Sequence, residues 1–233
     1  MKKPYTGGNS PKNFLPGRIV LLYEDRNIFV IEKPAGLLSI ASKTENRKTV
    51  YSYLCEYLRR KGEKRRPAVV HRLDRDTSGL MLFVKSGELK QAFMQNWNEL
   101  VTERRYTAVV EGAFPESAGL SGLIDAPLAE TKDGRILVRP GGMPAVTRWK
   151  LVKQNGAYAG LSLELETGRR NQIRAHLSCL GHPVAGDTKY GARTDPLNRL
   201  ALHAESLSFF MPGSSVRMAW SSPAPENFWD LVR

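Results

Sequence analysis

The chain has 233 residues, 41% hydrophobic and 25% charged, enough to bury a full core and ordinary for a globular protein. Its apolar runs are far too short to span a bilayer, and residues 1–18 hold no apolar leader, so it is read as cytoplasmic. The 35 Lys and Arg against 23 Asp and Glu leave a net charge of +12, which favours polyanionic partners, while Cys55 and Cys179 alone call for no disulfide framework.

Residues 1–18 carry Lys2, Lys3, Lys12 and Arg18 with no acid, plus Gly7-Gly8 and prolines, and read as a flexible basic tail ahead of a single domain over 19–233. Strands are expected over 19–23 and 28–32 around a polar turn, 24–27. Lys33-Pro34-Ala35-Gly36 follows, where proline ends the strand. Thr49 is a fitting N-cap for a helix whose apolar residues are Val50, Leu54, Tyr57 and Leu58. That helix leads into the densest basic run, Arg59-Arg60-Lys61-Gly62-Glu63-Lys64-Arg65-Arg66. Taken alone, such a run is a solvated loop.

Next comes a polar string between two apolar pieces: His71-Arg72-Leu73-Asp74-Arg75-Asp76-Thr77-Ser78-Gly79, with Ala68-Val69-Val70 before it and Leu80 to Val84 after it. Asp74 stands between Arg72 and Arg75, which predicts an ionised carboxylate, a candidate nucleophile or general base. Thr77, Ser78 and Gly79 read as the turn into the second strand. From spacing alone, the string is equally an ordinary salt-bridged connection.

Ser86 is expected to cap a helix with Leu89, Phe93, Trp97 and Leu100 on its buried face, followed by a strand from Thr102 to Gly112 that carries Arg104 and Tyr106. The stretch 112–143 is rich in Gly and Pro, with one short strand at 135–139; 145–152 and 157–166 read as a hairpin pair. A helix then begins within Thr167-Gly168-Arg169-Arg170-Asn171-Gln172-Ile173-Arg174-Ala175-His176-Leu177. Ile173, Leu177 and Leu180 form its apolar face, Gly181 its stop, and Arg174 lies at the edge of the stripe. Cys179 and His182 have Cys-x-x-His spacing but no second ligand pair, so a buried helical cysteine and a loop histidine are the preferred reading, with no metal. No dinucleotide or phosphate-loop fingerprint is present, and no cofactor is expected. Phe228, Trp229 and Leu231 hold a short C-terminal helix.

The string from His71 to Gly79 resembles the signature loop H-R-L-D-x-x-T-S-G of the RluA-type pseudouridine synthases, which act on ribosomal and transfer RNA. The Lys33-Pro34 segment is similar to a K-P-x-G element of that family, and Arg104 with Tyr106 to its basic-x-Tyr strand. The stretch Thr167 to His176 is similar to T-G-R-x-x-Q-I-R-x-H, with Gly181-His182-Pro183 and Gly186-Asp187-Thr188-Lys189-Tyr190-Gly191 after it. Leu202-His203-Ala204 then Leu207 and Phe209 match its closing strand. One departure is Arg170-Asn171, where many members carry Thr-His.

The resemblance implies an α+β fold, a bent, mixed and mainly antiparallel sheet flanked by helices with a central basic cleft. It implies isomerisation of uridine within RNA, with Asp74 catalytic, Arg174 paired with it and Tyr106 against the target base. Arg72, His71, Thr77, Arg104, Arg65, Arg66, Arg169 and Arg170 become the expected substrate and RNA contacts. Beside such a loop the basic run reads as an RNA contact. Neither metal nor cofactor is required, no S4-type RNA-binding domain is expected, and a monomer is the default. A catalytically silent RNA-binding or assembly factor is the rival class. An RNA N-glycosidase is the rival enzyme, distinguished by release of free uracil.

Overall fold

The strand-rich pattern takes shape in the computed structural model, which describes residues 5–6, 13–41, 48–115, 117 and 119–233. In chain order its elements are β1 (Tyr5–Thr6), β2 (Asn13–Leu15), β3 (Ile19–Glu24), β4 (Ile28–Lys33), α1 (Val50–Arg60), β5 (Ala68–Val69), β6 (Ser78–Val84), α2 (Gly87–Gln95), α3 (Trp97–Leu100) and β7 (Val101–Glu111). There follow β8 (Ser121–Asp125), β9 (Leu128–Glu130), β10 (Ile136–Val138), β11 (Val146–Gln154), β12 (Tyr158–Leu165), α4 (Gln172–Cys179), β13 (Leu202–Phe210), β14 (Arg217–Ser221) and α5 (Glu226–Asp230). The fold is α+β, with mostly antiparallel strands and few helices. The chain divides into two compact units, 1–104 with 204–222, and 105–203 with 223–233.

In the first unit the strands run in the order β2, β3, β4, β6, β13, with β5 also paired to β6. Strands β4 and β6 pair antiparallel without a break, from Ile28 opposite Val84 to Lys33 opposite Gly79. Every residue of β6 is buried. Alternate side chains of a strand point to opposite faces, so an all-apolar run needs cover on both. Leu80, Leu82 and Val84 pack with Phe93 of α2 on one face. On the other face of β4, Phe29 meets Tyr57 of α1 edge-on at 6.2 Å. Each such side chain contributes about 1.5–3 kcal/mol through burial. Helix α1 starts where expected: Thr49 Oγ1 accepts the Ser52 N–H and Ser52 Oγ accepts the Thr49 N–H, a reciprocal cap.

Three expectations in this unit change. Ser78 and Gly79 are not turn residues but begin β6, and the bend falls at Arg75 and Asp76. Gly79 is required in the strand, because its φ is +114° and a Cβ there would collide with the Ala204 backbone. The single helix expected from Ser86 to Leu100 breaks at Asn96, whose backbone leaves helical geometry and whose side chain donates back to the Ala92 carbonyl. Within the stretch expected to be a flexible tail, Tyr5–Thr6 pairs with β14 and Asn13–Leu15 with β3; residues 1–4 and 7–12 lie outside the described residues.

In the second unit the order is β7, β12, β11, β8. Strands β11 and β12 form the expected hairpin, with a bulge between Leu151 and Lys153. Ala108, Val110, Leu161, Leu163, Ile173, Leu177 and Phe228 make its core. The Gly- and Pro-rich stretch also forms β8 and β9, which are short and weakly patterned. In β8, Gly122 leaves a gap that the Trp149 indole fills. Strands β9 and β10 form a separate hairpin whose Leu128 and Ile136 pack with Ala175 of α4 and with Tyr190. Among the described residues no helix is long and apolar enough to cross a membrane.

Gly79→Ala is expected to lose about 3 kcal/mol or more of unfolding free energy, since it adds left-handed strain to a backbone collision. Urea titration of the purified variant measures this. A loss under about 0.5 kcal/mol would contradict the close approach.

Candidate functional site

Residues 71–77 run as an irregular loop between β5 and β6, and three side chains of the first unit tie its backbone down. At its start, His71 Nε2 accepts the Leu82 N–H at 2.8 Å. The His71 ring lies 5.3 Å from the Trp97 ring, over which Arg104 sits at 5.8 Å. Burial, and then the Arg104 charge, push the His71 pKa down to about 3. The ring is therefore neutral at physiological pH, and because Nε2 accepts, its proton lies on Nδ1. His71, expected as an RNA contact, is occupied in holding the loop.

In mid-loop, Ser39 Oγ donates to the Leu73 carbonyl at 2.7 Å and accepts the Leu73 N–H at 3.3 Å. Toward the end, Lys33 Nζ donates to the Arg75 carbonyl at 2.7 Å. The same ammonium donates to Pro34 at 2.9 Å and to Leu37 at 2.7 Å. Lys33 is fully buried. A lysine carries three N–H donors and here meets three carbonyls, which offsets the penalty of burying its charge. Between these ties Leu73 and Thr77 face inward, Asp74 is half-buried and Arg72 is exposed. Arg75 Nε lies 3.8 Å from Asp76.

Lys33 and Ser39 were not among the residues expected from the sequence. The signal for Lys33 was present: Phe29, Ile31 and Lys33 share one face of β4, so a lysine occupies an apolar-face position. Ser39 carries no such signal, because only the folded chain brings it to Leu73.

The basic run is partly self-neutralised. Arg59 and Arg60 both bond Glu56 at 2.8 Å, and Arg59 then Arg60 hold that carboxyl down at about 2. Lys61 bonds Glu24 at 3.1 Å, and Arg65 donates to the Arg26 carbonyl at 2.6 Å. Arg59 and Arg60 belong to α1, so the run is not one loop. Lys64 and Arg66 are exposed.

In the second unit, Asn171 opens α4 in left-handed conformation at φ 52°. Gln172 ties the preceding turn to β11. Its Oε1 accepts from Thr167 at 2.7 Å and from the Arg169 N–H at 3.0 Å; its Nε2 donates to the Val146 carbonyl at 3.0 Å. Arg174, expected at the edge of the buried stripe, is itself buried. Its Nε and Nη2 donate to Asp187 at 2.6 and 2.7 Å, and its guanidinium lies 4.7 Å over the Tyr190 ring. The sequence reading gave Asp187 no role. Tyr106, on β7 opposite Leu163, is half-buried against the core. Arg169 is exposed and donates to the Pro144 carbonyl at 3.1 Å. Arg170 is held to the β9–β10 hairpin by the Gly134 carbonyl at 2.9 Å and Glu130 at 2.7 Å.

Helix α4 ends at Cys179, so Cys179 and Leu180, both expected to be buried, are exposed as the chain leaves the core. His182 stacks on Phe114 at 4.1 Å, and its Nδ1 lies 2.9 Å from the Glu111 carbonyl. Both ring nitrogens of buried His176 are engaged, by Thr147 and the Ala126 carbonyl at 2.9 Å, and burial lowers its pKa.

Residues 27–179 match the family profile described as RNA pseudouridylate synthase. The chain is 36% identical over 220 residues to YjbO of Bacillus subtilis, named an uncharacterized RNA pseudouridine synthase, across 94% of this chain and 77% of that protein. It is 33% identical over 228 residues to ribosomal large subunit pseudouridine synthase D of Escherichia coli, across 91% of this chain and 69% of that protein. In fold it is similar to human RNA pseudouridylate synthase domain containing 4, with a TM-score of 0.70 over 90% of both chains at 22% identity.

Lys33→Met keeps the apolar stem and removes the charged donor that joins the loop to the turn after β4. It is expected to lose about 2–4 kcal/mol of unfolding free energy, because three carbonyls lose the buried donor they share. Urea titration measures the loss, and a change under about 0.5 kcal/mol would show that the clamp contributes nothing.

Proposed function

Because the chain belongs to the RNA pseudouridylate synthase family and is an isomerase converting uridine to pseudouridine in RNA, we propose that Asp74 carries the reaction and that the target uridine lies in ribosomal or transfer RNA. The observation that supports this most is the clamped loop. Three buried or half-buried side chains hold the backbone on both sides of one half-buried carboxylate.

The reaction breaks the N1–C1′ bond, turns the uracil and joins C5 to C1′. N1 gains a proton and C5 gives one up, so the change is redox-neutral. It needs a carboxylate to attack the sugar or base, or to take a sugar proton, and the uracil has to stay in place while it turns. Asp74 supplies the carboxylate. In this proposal Arg174 supplies the positive charge that keeps it ionised, and Tyr106 the ring that faces the uracil.

Arg72 precedes Asp74 by two residues, and the two flank inward-facing Leu73, with Arg72 exposed and Asp74 half-buried. An exposed guanidinium there suits a phosphate, or the bases left behind when the uridine leaves its stack, which costs a few kcal/mol. Exposed Lys64 and Arg66, on a chain of net charge +12, favour further phosphate contacts. The Escherichia coli relative bears the name of a large-subunit ribosomal enzyme, which makes that RNA the first substrate to test.

Conversion is read by release of tritium from C5 of labelled uridine in RNA. Asp74→Asn is expected to slow release by about a thousandfold or more while RNA affinity stays within about threefold. A variant keeping about a tenth of the wild-type rate would remove Asp74 from the mechanism. Free uracil in the supernatant would mark base excision in place of isomerisation.

A further inference from the structure

The Arg174 guanidinium is held from three sides by groups of the second unit. Its Nε–H and one Nη2–H donate to the two oxygens of Asp187, and Nη1 donates to Asn171 Oδ1 at 3.3 Å. The Tyr190 ring lies beneath it at 4.7 Å. These bonds occupy one edge of the planar group and part of Nη1, and they turn the Nη1–Nη2 end away from Asp187. Asp187 is buried, and both partners are nearly inaccessible.

The holders are themselves fixed. Gly186 has φ +82°, and a Cβ there would collide with the Arg199 carbonyl, so the turn that delivers Asp187 depends on glycine. The Asp187 carbonyl accepts the Tyr190 and Ala192 N–H groups. The Tyr190 hydroxyl accepts from Asn171 Nδ2 at 3.0 Å and from the Ile136 N–H at 3.2 Å, while Ser178 donates to the Tyr190 carbonyl at 2.7 Å. Asn171 sits in a left-handed conformation that favours glycine, and its amide reaches Arg174 with one atom and Tyr190 with the other. A buried ion pair is a poor source of net stability, so its presence here is better explained by the geometry it imposes.

We infer that Asp187 is a positioning residue for the reaction: it fixes the rotation of the Arg174 guanidinium, with Asn171 and Tyr190 as its supports. The inference rests on the role proposed above for Arg174. Asp187→Asn keeps the shape of the side chain but puts an NH₂ where an oxygen accepted, so one arm of the fork is lost and the rotation of the guanidinium is less tightly fixed.

The test is single-turnover tritium release from RNA of cells lacking the gene, labelled at uracil C5, with filter binding and thermal melting of each variant. Asp187→Asn is expected to slow the step by about ten- to a hundredfold with RNA affinity kept, as displaced catalytic groups do. It is expected to slow Arg174→Ala no further, because the clamp then has nothing to hold. Asp187→Glu, which restores the charge, is expected to recover part of the rate. Asn171→Gly keeps the left-handed turn and deletes only the side-chain bonds; it is expected to slow the step by about three- to tenfold, and it decides the matter if Asp187→Asn fails to fold. Wild-type rates in Asp187→Asn, or in Asn171→Gly where that variant decides, would overturn the inference. So would an equal slowing of the Arg174→Ala background. Those results leave the functional reading standing, provided the wild type is active and Arg174→Ala is not. A wild type that releases no tritium, or Arg174→Ala at the wild-type rate, contradicts the functional reading and the positioning role together.

Discussion

A buried ammonium group organises the first unit. Lys33 sits at the end of β4 with no exposed surface, and its three carbonyl partners come from the turn that follows it and from the loop beyond β5. Burying such a charge is unfavourable unless its donors are met, and the carbonyls meet it only while both segments keep their bends. The bend at Arg75 and Asp76, the entry of Gly79 against Ala204 and the pairing of Lys33 with Gly79 are therefore mutually dependent. Asp74 lies between Leu73, tied by Ser39, and Arg75, tied by Lys33, so its backbone is held on both sides.

The second unit solves a similar problem with different groups. A guanidinium replaces the ammonium, and a bidentate carboxylate with an aromatic face replaces the carbonyls. Lys33 works as a point charge among acceptors, whereas Arg174 is planar, so its partners fix orientation as well as position. The basic surface follows from the same accounting of partners. Arg59, Arg60 and Arg170 spend charge on Glu56 and Glu130, whereas Arg72 and Arg66 are exposed.

Much of this was legible in the sequence, for identifiable reasons. Helix α1 was readable because Thr49 and the 3.6-residue apolar period agree, and β11 and β12 because each is long. The polar string around Asp74 stood out because charges between two apolar strands are unfavourable unless held. What escaped is what depends on contacts far apart in sequence. Ser39 reaches Leu73 across 34 residues and Lys33 reaches Arg75 across 42; the strand pattern marks Lys33 as inward-facing, but no local pattern names the partner of either. Asp187 was visible in its motif but acquired a role only when its carboxylate met Arg174. Gly79 read as a turn because glycine usually marks one, whereas here a close backbone approach requires it.

The central claim, that this chain converts particular uridines of cellular RNA, is tested most directly by chemical pseudouridine mapping of RNA from cells with and without the gene. The account predicts that specific positions lose pseudouridine in the cells lacking it. It also predicts that purified protein added to that RNA restores the same positions with no change in RNA mass. Identical maps from the two cell types, together with no conversion by the purified protein, would contradict it.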